Sequence, residues 1–154
     1  MDADTLTKIK AMIEADEGCK LKAFQDSRGV WTIGRGYNLQ AHGYSATEAS
    51  KVVWTQDQAD FAFDTCFSDA IHSLDVQFPD WTNLAPGRQA VAVSAMYQLG
   101  AAKVMEFAPT IALIRKGDFE GAAAHMEASA WGHQCPARVK RLAAMMRTGE
   151  VPNA

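Results

Sequence analysis

The sequence lacks the features that mark several classes of protein. None of its apolar runs approaches the roughly 18 residues that a membrane-spanning helix needs, and its amino terminus has no basic region followed by an apolar one, as a signal peptide would. Repeats and low-complexity tracts are also missing. We therefore expect no membrane insertion, no secretion leader, and one ordinary globular domain in these 154 residues.

Cysteine and histidine are also scarce. The three cysteines are odd in number and widely spaced, no CxxC occurs, and the four histidines are scattered. This pattern fits neither a zinc site nor a disulfide framework. We expect three free thiols and no cofactor or metal.

A large positive charge is missing as well. The net charge is −3, which argues against nucleic-acid binding as the main activity. The charge is uneven, because residues 1–80 carry 7 Lys/Arg and 13 Asp/Glu whereas residues 81–154 carry 8 and 5. The basic surplus lies in "RVKRLAAMMR", residues 138–147. It fits a solvated helix face as well as a surface for an anionic polymer, such as a nucleic acid or a bacterial cell wall.

Most of what is present has helical periodicity. The pattern predicts a first helix from Asp4 that ends at Gly18, a short helix capped by Ser45 with Glu48, and a long helix capped by Thr55. Further Ala-rich helices follow, with end signals at Gly100, Gly117 and Gly149 and start signals at Asp118 and Pro136. One of them is expected to run without a break from Asp118 to Trp131.

Residues 20–39 have a different pattern. "LKAF" and "VWTIG" are short β-prone runs, "QDSRG" between them is typical of a turn, and "GRGYN" breaks the second run. We expect a hairpin or a three-stranded sheet. The fold class is therefore α+β and mainly helical, as one domain over residues 1–154. Its parts are a small β-containing lobe (18–54), a connecting helix (55–76), and a larger helical lobe (77–149) that also packs the first helix.

The stretch "ADEGCKLKAFQDSRGVWTIGRGY" combines carboxylates with a threonine and four glycines. Glycoside hydrolysis needs a protonated carboxyl for the leaving oxygen and a second carboxylate for the water or the cationic transition state. Glu17 at a helix end, Asp26 in a turn and Thr32 on the next strand have the right chemistry. The same residues also fit a solvated helix end, an Asx turn and an ordinary strand position.

The order "DEG", "QDSRG", "WTIGRGY" resembles the N-terminal lobe of phage T4-type lysozymes, glycoside hydrolase family 24. The spacings of nine residues from Glu17 to Asp26 and six from Asp26 to Thr32 are those of the family. Further on, "AMYQLG", "DFEGAA", "SAWGHQCPARVKR" and "RTG" resemble its C-terminal lobe, so the resemblance runs from about Ile9 to Gly149. The chain departs from the family at Tyr37, where histidine is usual, and its segment 41–54 is shortened.

This resemblance implies a lysozyme-like two-lobed fold and a muramidase. The enzyme would hydrolyse, with inversion, the β-1,4 bond between N-acetylmuramic acid and N-acetylglucosamine in bacterial peptidoglycan. It implies Glu17 as general acid, Asp26 as second carboxylate and Thr32 as the residue that positions water. Positions near the glycan or the catalytic glutamate are implied for Asn38, Tyr97, Gln98, Thr110, His125 and Arg138.

Two other functions remain open on the sequence. A lytic transglycosylase cuts the same bond with an acid alone, so the pairing of Asp26 with Thr32 favours hydrolysis. A non-catalytic cell-wall-binding or virion module on the same scaffold is expected to have lost Glu17 or Asp26, and both are present. For a phage endolysin that lyses its host, we expect a monomer that stays in the host cytoplasm until a separate holin releases it to the wall.

Overall fold

The computed structural model describes residues 1–153. The fold is α+β and mainly helical, as predicted. The helices are α1 (Ala3–Glu17), α2 (Ala46–Ala49), α3 (Gln56–Gln77), α4 (Pro86–Leu99), α5 (Ala101–Val104), α6 (Ala108–Arg115), α7 (Phe119–Ala128), α8 (Ala130–Gln134) and α9 (Pro136–Thr148). The strands are β1 (Lys20–Gln25), β2 (Trp31–Gly34) and β3 (Tyr37–Asn38).

The chain divides into two compact units. One comprises residues 10–69, and the other joins residues 1–9 to residues 70–153. α3 contributes residues to both units. The finer division into a small lobe, a connecting helix and a large lobe stays a prediction.

The sheet of unit 10–69 is an antiparallel meander in the order β1-β2-β3. Thr32 pairs with Phe24 on one side and with Asn38 on the other. Ile33 pairs with Tyr37 and is fully buried, in a small core with Leu39. Because neighbouring strand residues point to opposite faces, Thr32 and Asn38 share one face of the sheet while Tyr37 lies on the other.

Local capping signals fix the ends of the helices in this unit. Ser45 and Glu48 form the predicted capping box before α2. Thr55 and Gln58 exchange the same pair of hydrogen bonds at the start of α3, at 2.9 and 3.2 Å. Each pair satisfies amide groups that a helix start leaves without partners.

The core of the other unit is built around α9, which packs against both α4 and α7. Its most buried large side chains include Trp81, Leu142 and Met146. Arg88 on α4 donates to the carbonyl oxygens of Met146 and Arg147 at 2.8 and 3.0 Å, so its guanidinium caps the C-terminal end of α9.

One predicted helix is broken in the structure. The expectation of an unbroken helix from Asp118 to Trp131 is wrong, because α7 ends at Ala128 and α8 begins at Ala130. Ser129 between them is extended, and its hydroxyl donates to Met126 O at 2.6 Å and accepts from Gly132 N at 3.2 Å. The serine thus ends one helix and caps the next, so that α8 takes a new direction.

Candidate active site

Glu17 is the last residue of α1. Gly18 follows with φ of +62°, and its N–H donates to Glu14 O at 3.0 Å, which ends the helix. This conformation is the one that glycine adopts at little cost. Glu17 is half-buried, so its carboxyl is held on a rigid element and partly withdrawn from water.

Gly36 makes room for that carboxyl. It lies in the turn between β2 and β3 with φ of +76°, and a Cβ atom added to it would lie only 2.7 Å from Oε2 of Glu17. A glycine is therefore required there by both the backbone and the space. The contact brings the end of α1 against the "TIGRG" turn. Sequence reasoning missed this role of Gly36, although the second glycine of "GRG" was the signal for it.

Asp26 opens the turn between β1 and β2. Its Oδ1 accepts from Arg28 N at 2.8 Å and from Val30 N at 2.9 Å. Its Oδ2 lies 3.7 Å from a guanidinium nitrogen of Arg28, and 28% of the side chain is exposed. Asp26 is thus an Asx-turn residue. The turn uses one carboxylate oxygen and fixes the direction of the other, so the turn role and a catalytic role are compatible.

Thr32 and Asn38 are neighbours on the same face of the sheet. The buried Thr32 hydroxyl donates to Val30 O at 3.0 Å, which leaves its oxygen free to accept. Oδ1 of the half-buried Asn38 accepts from Ala41 N at 2.9 Å. The side chains of Thr32 and Asn38 therefore offer complementary chemistry, an acceptor from one and amide N–H donors from the other.

Unit 1–9 with 70–153 holds the remaining candidate residues. Thr110 and His125 line one cavity of about 320 Å³, beside Trp131. Thr110 and Trp131 are buried, whereas His125 is exposed. The structure thus brings Thr110 and His125 together in one cavity.

Gln98 bonds to Trp131, which lines that cavity. Its Oε1 accepts from Trp131 Nε1 at 2.9 Å, and its Nε2 donates to Cys135 Sγ at 3.3 Å. Gln98 therefore ties α4 to α8 and to the residue that precedes α9. The neighbouring Tyr97 is half-buried. Neither Tyr97 nor Gln98 lines the cavity of Thr110 and His125.

The basic residues of α9 differ in their surroundings. Arg138 is half-buried in the first turn of the helix. Arg147 in the last turn pairs with Glu120 at 2.8 Å and Glu127 at 2.6 Å. The hydrogen bonds that Arg147 donates to these two carboxylates raise its pKa. The basic surplus of residues 138–147 is therefore neutralised locally at its C-terminal end.

The remaining features concern thiols, metals and membranes. Cys19, Cys66 and Cys135 are free, as predicted. Residues 1–153 contain no group of three or more His, Cys, Asp or Glu side chains that could hold a metal ion. Over the same residues, no helix is both long and apolar enough to cross a membrane.

Comparison with known proteins gives consistent matches. The family described as phage lysozyme matches residues 14–147. Probable T4-type lysozyme 1 of Dictyostelium discoideum is 25% identical over 163 residues, which cover 94% of this chain and 96% of the relative. Probable T4-type lysozyme 2 of the same organism is 26% identical over 164 residues, with the same coverage. The pre-baseplate central spike protein Gp5 of Enterobacteria phage T4 is 25% identical over 158 residues, which cover 91% of this chain but 28% of the spike protein.

Proposed function

Because this chain belongs to the phage lysozyme family and is a glycoside hydrolase with lysozyme activity on peptidoglycan, we propose that Glu17, Asp26 and Thr32 carry out its reaction. The observation that carries the proposal is the contact between Glu17 and Gly36, since a backbone shaped around one carboxyl indicates a selected position for it. The scissile bond is the β-1,4 linkage between N-acetylmuramic acid and N-acetylglucosamine.

Glu17 is the general acid. It is the half-buried last residue of a helix of 15 residues, so its carboxyl is held on a rigid element beside Gly36. In its protonated form this carboxyl gives its proton to the leaving glycosidic oxygen.

Asp26 and Thr32 handle the water. A water that attacks the anomeric carbon must give its own hydrogens to acceptors and aim a lone pair at the sugar. The Thr32 oxygen is an acceptor because its hydrogen is engaged by Val30 O. Oδ2 of Asp26 is the second acceptor, since Oδ1 is used by the turn. Asp26 acts as the base, and its charge also favours a cationic transition state.

The other candidate residues bind the glycan. Asn38 presents amide N–H groups from unit 10–69, and Thr110 and His125 offer hydrogen bonds from the cavity in the other unit. Tyr97 and Arg138 are the remaining proposed contacts. Gln98 belongs to the same set, and its bonds to Trp131 and Cys135 suit it to holding a wall of the site in place.

The biological role follows from the reaction. We propose an endolysin, active as a monomer, that a separate holin releases from the host cytoplasm so that it degrades the wall and lyses the host. Such an enzyme is bacteriolytic and antimicrobial when added to exposed walls. The second candidate is a non-catalytic or virion-bound role. It is supported by the match to a phage spike protein, of which the match covers 28%.

The experiment is digestion of purified sacculi in water enriched in ¹⁸O, followed by mass spectrometry of the released muropeptides. A hydrolase puts one ¹⁸O on each new reducing end. A lytic transglycosylase leaves a 1,6-anhydro end without the label, and a wall-binding module releases nothing. Glu17→Gln should lower release at least ~100-fold, because an amide cannot supply the proton.

Glu14→Gln is the matched control. Glu14 lies one turn earlier on α1, is half-buried as Glu17 is, and serves the helix end only through its backbone carbonyl. It should retain wild-type release. Near-normal release by a folded Glu17→Gln protein would refute the assigned role.

A further inference from the structure

The turn between β2 and β3 carries one side chain between two glycines, and we call residues 34–36 the glycine turn. Gly34 and Gly36 both have positive φ, of +61° and +76°. Glycine adopts such angles at little cost, but it also leaves the backbone free to adopt others. Arg35 is the one residue of the glycine turn with a side chain that can hold it in place. The contacts of Arg35 therefore bear on the position of Gly36 and of the Glu17 carboxyl beside it.

The side chain of Arg35 is bound to α3 in two ways. Its Nη2 donates to Oδ1 of Asp60 at 3.2 Å. Its guanidinium carbon lies 5.7 Å from the centroid of the buried Phe63 ring, which is within the range of cation–π attraction. The Arg35 side chain is only 18% exposed. Because this guanidinium is largely withdrawn from water, salt screens the contact less than it screens an exposed ion pair.

The backbone of the glycine turn also lies against α3. A Cβ atom added to Gly34 would lie 3.0 Å from the ring of Trp54 and 3.7 Å from the Cβ atom of Ala59. Ala59 and Phe63 are four residues apart on α3, so they are neighbours on one face of that helix. The glycine turn therefore rests on one face of a long helix, through the backbone of Gly34 and the side chain of Arg35.

Asp60 is linked to the chain on the other side of Glu17 as well. Its Oδ1 accepts a second hydrogen bond, from Nε2 of Gln56 at 2.9 Å. The same Nε2 lies 3.8 Å from Sγ of Cys19, which comes two residues after Glu17. One carboxylate oxygen thus joins the segment that follows Glu17 to the turn that contacts the Glu17 carboxyl, the first through Gln56 and the second through Arg35.

A second ion pair on α3 resembles the first but does not involve the glycine turn. Nζ of Lys10 lies 2.6 Å from Oδ1 of Asp64, and 5.8 Å from the centroid of the same Phe63 ring. Asp64 lies one helical turn after Asp60. Lys10 belongs to α1, which its own backbone hydrogen bonds hold in shape. Both ion pairs join a cation to α3, and only that of Arg35 holds the glycine turn.

We propose that Arg35 is a positioning residue for the acid. Its contacts with Asp60 and Phe63 hold the glycine turn, and Gly36 in that turn holds the Glu17 carboxyl where it reaches the leaving oxygen. The inference rests on the proposed function, because Arg35 has this role only if Glu17 is the acid. A displacement of about 1 Å near the reacting atoms can lower a rate about 100-fold, so a small shift of the turn is enough to slow the reaction.

The test is steady-state kinetics on soluble, uncross-linked peptidoglycan strands, with urea unfolding of every variant alongside. Arg35→Met keeps an apolar chain over Phe63 but removes the charge and the hydrogen-bond donors. We expect kcat to fall about tenfold while KM stays within about twofold of wild type, because the loss concerns the reacting geometry and not the binding of glycan. Asp60→Ala breaks the same contact from its more exposed partner and should lower kcat likewise, even if Arg35→Met does not fold.

A double-mutant cycle separates positioning from stability. Arg35→Met and Asp60→Ala together should lower kcat hardly more than either does alone, because each breaks the same contact. Lys10→Met and Asp64→Ala are the matched controls, since they break the similar ion pair that does not involve the glycine turn. They should lower the unfolding free energy to a similar extent and leave kcat unchanged. Arg35→Lys keeps the charge without the planar group and should recover part of kcat.

The route through Gly36 is tested in a further background. In Gly36→Ala the added methyl group already displaces the Glu17 carboxyl, so Arg35→Met should lower kcat no further there. A full additional tenfold loss would overturn the proposed route.

Three other results would overturn the proposal. One is an unchanged kcat in folded Arg35→Met or Asp60→Ala protein. Another is a loss of kcat in the Lys10 and Asp64 variants that matches theirs, which would make the role of Arg35 merely structural. The last is a raised KM with unchanged kcat, which would make Arg35 a glycan contact.

Glu17→Gln distinguishes failure of this inference from failure of the proposed function. If folded Glu17→Gln protein cleaves at a near-normal rate, the proposed function fails and the role of Arg35 fails with it. If Glu17→Gln is inactive while Arg35→Met and Asp60→Ala are fully active, only the role of Arg35 fails. An inactive Glu17→Gln protein together with the expected loss of kcat in the other two variants supports both.

Discussion

The carboxylate of Glu17 occupies the space that a side chain on Gly36 would need. The distance from Oε2 to an added Cβ is 2.7 Å, which is shorter than any van der Waals contact between these atoms. The position of the proposed acid therefore depends on the absence of a side chain nineteen residues further along the chain, in a different element.

Gly36→Ala should lower cleavage far more than it lowers stability. The positive φ of +76° costs an alanine about 1–2 kcal/mol, and the new methyl group must also push the Glu17 carboxyl from its place. Gly117→Ala is the control, because Gly117 has φ of +77° with no atom within 4 Å of its added Cβ. The midpoint temperature of thermal unfolding should fall similarly in both variants, whereas muropeptide release should fall only in Gly36→Ala. If the two variants released muropeptides equally, the contact between Glu17 and Gly36 would not contribute to catalysis.

Asp26 has a turn role and a proposed catalytic role, and two substitutions separate them. In Asp26→Asn the amide oxygen still accepts from Arg28 N and Val30 N, so stability should change little while cleavage falls by at least ~100-fold. In Asp26→Ala both of these hydrogen bonds are lost, which should cost about 1–3 kcal/mol in addition. Chemical denaturation and muropeptide release measure the two effects. A fully active Asp26→Asn protein would leave Asp26 as a turn residue only.

Gln98 should contribute to stability through Trp131. Gln98→Leu leaves the indole N–H of Trp131, a residue that is 4% exposed, without its acceptor. An unsatisfied buried donor costs about 1–3 kcal/mol. Trp131→Phe removes that donor, so the double variant should lose less stability than the two single variants together. A double-mutant cycle from urea unfolding checks this, and strictly additive losses would contradict it.

Cys66 should make the protein less stable in alkali. Burial, and then the charge of Asp69, raises the pKa of its thiol. The stability linked to this proton is complete below the pKa of the unfolded thiol, about 8.5, and is lost as pH rises from there through the higher folded pKa. The unfolding free energy of Cys66→Ala should therefore fall less steeply above about pH 8.5 than that of wild type. Cys19→Ala, which removes an exposed thiol, should keep the wild-type slope.

Features set by neighbouring residues were predictable from the sequence. The helix ends at Glu17, Leu99 and Thr148, and the capping box of Ser45 and Glu48, depend on groups within one turn of the chain. The three-stranded sheet was one of the two arrangements expected, because short β-prone runs and turns indicate it locally.

Features set by distant contacts were not predictable. The break at Ser129 is an exception, because it was missed although it is set locally: Ser129 bonds to Met126 and Gly132, and a Cβ on Gly132 would lie 2.3 Å from Glu127 O. Distant contacts also form the groove of about 510 Å³ that is lined by Tyr37 and Phe61, on elements whose pairing no local pattern specifies. Gln98 is similar, since its partners lie 33 and 37 residues further along the chain.

The meander of β1, β2 and β3 also bears on the order of folding. Its strands are neighbours in sequence and close through short loops, so pairing them costs little chain entropy. By contrast, the cap of α9 by Arg88 joins residues 58 and 59 positions apart. We expect the sheet that carries Thr32 to be protected from hydrogen exchange before α9 during refolding, which pulse labelling would show or refute. The segment with the proposed catalytic groups would then be assembled early, ahead of the cavity residues in the other unit.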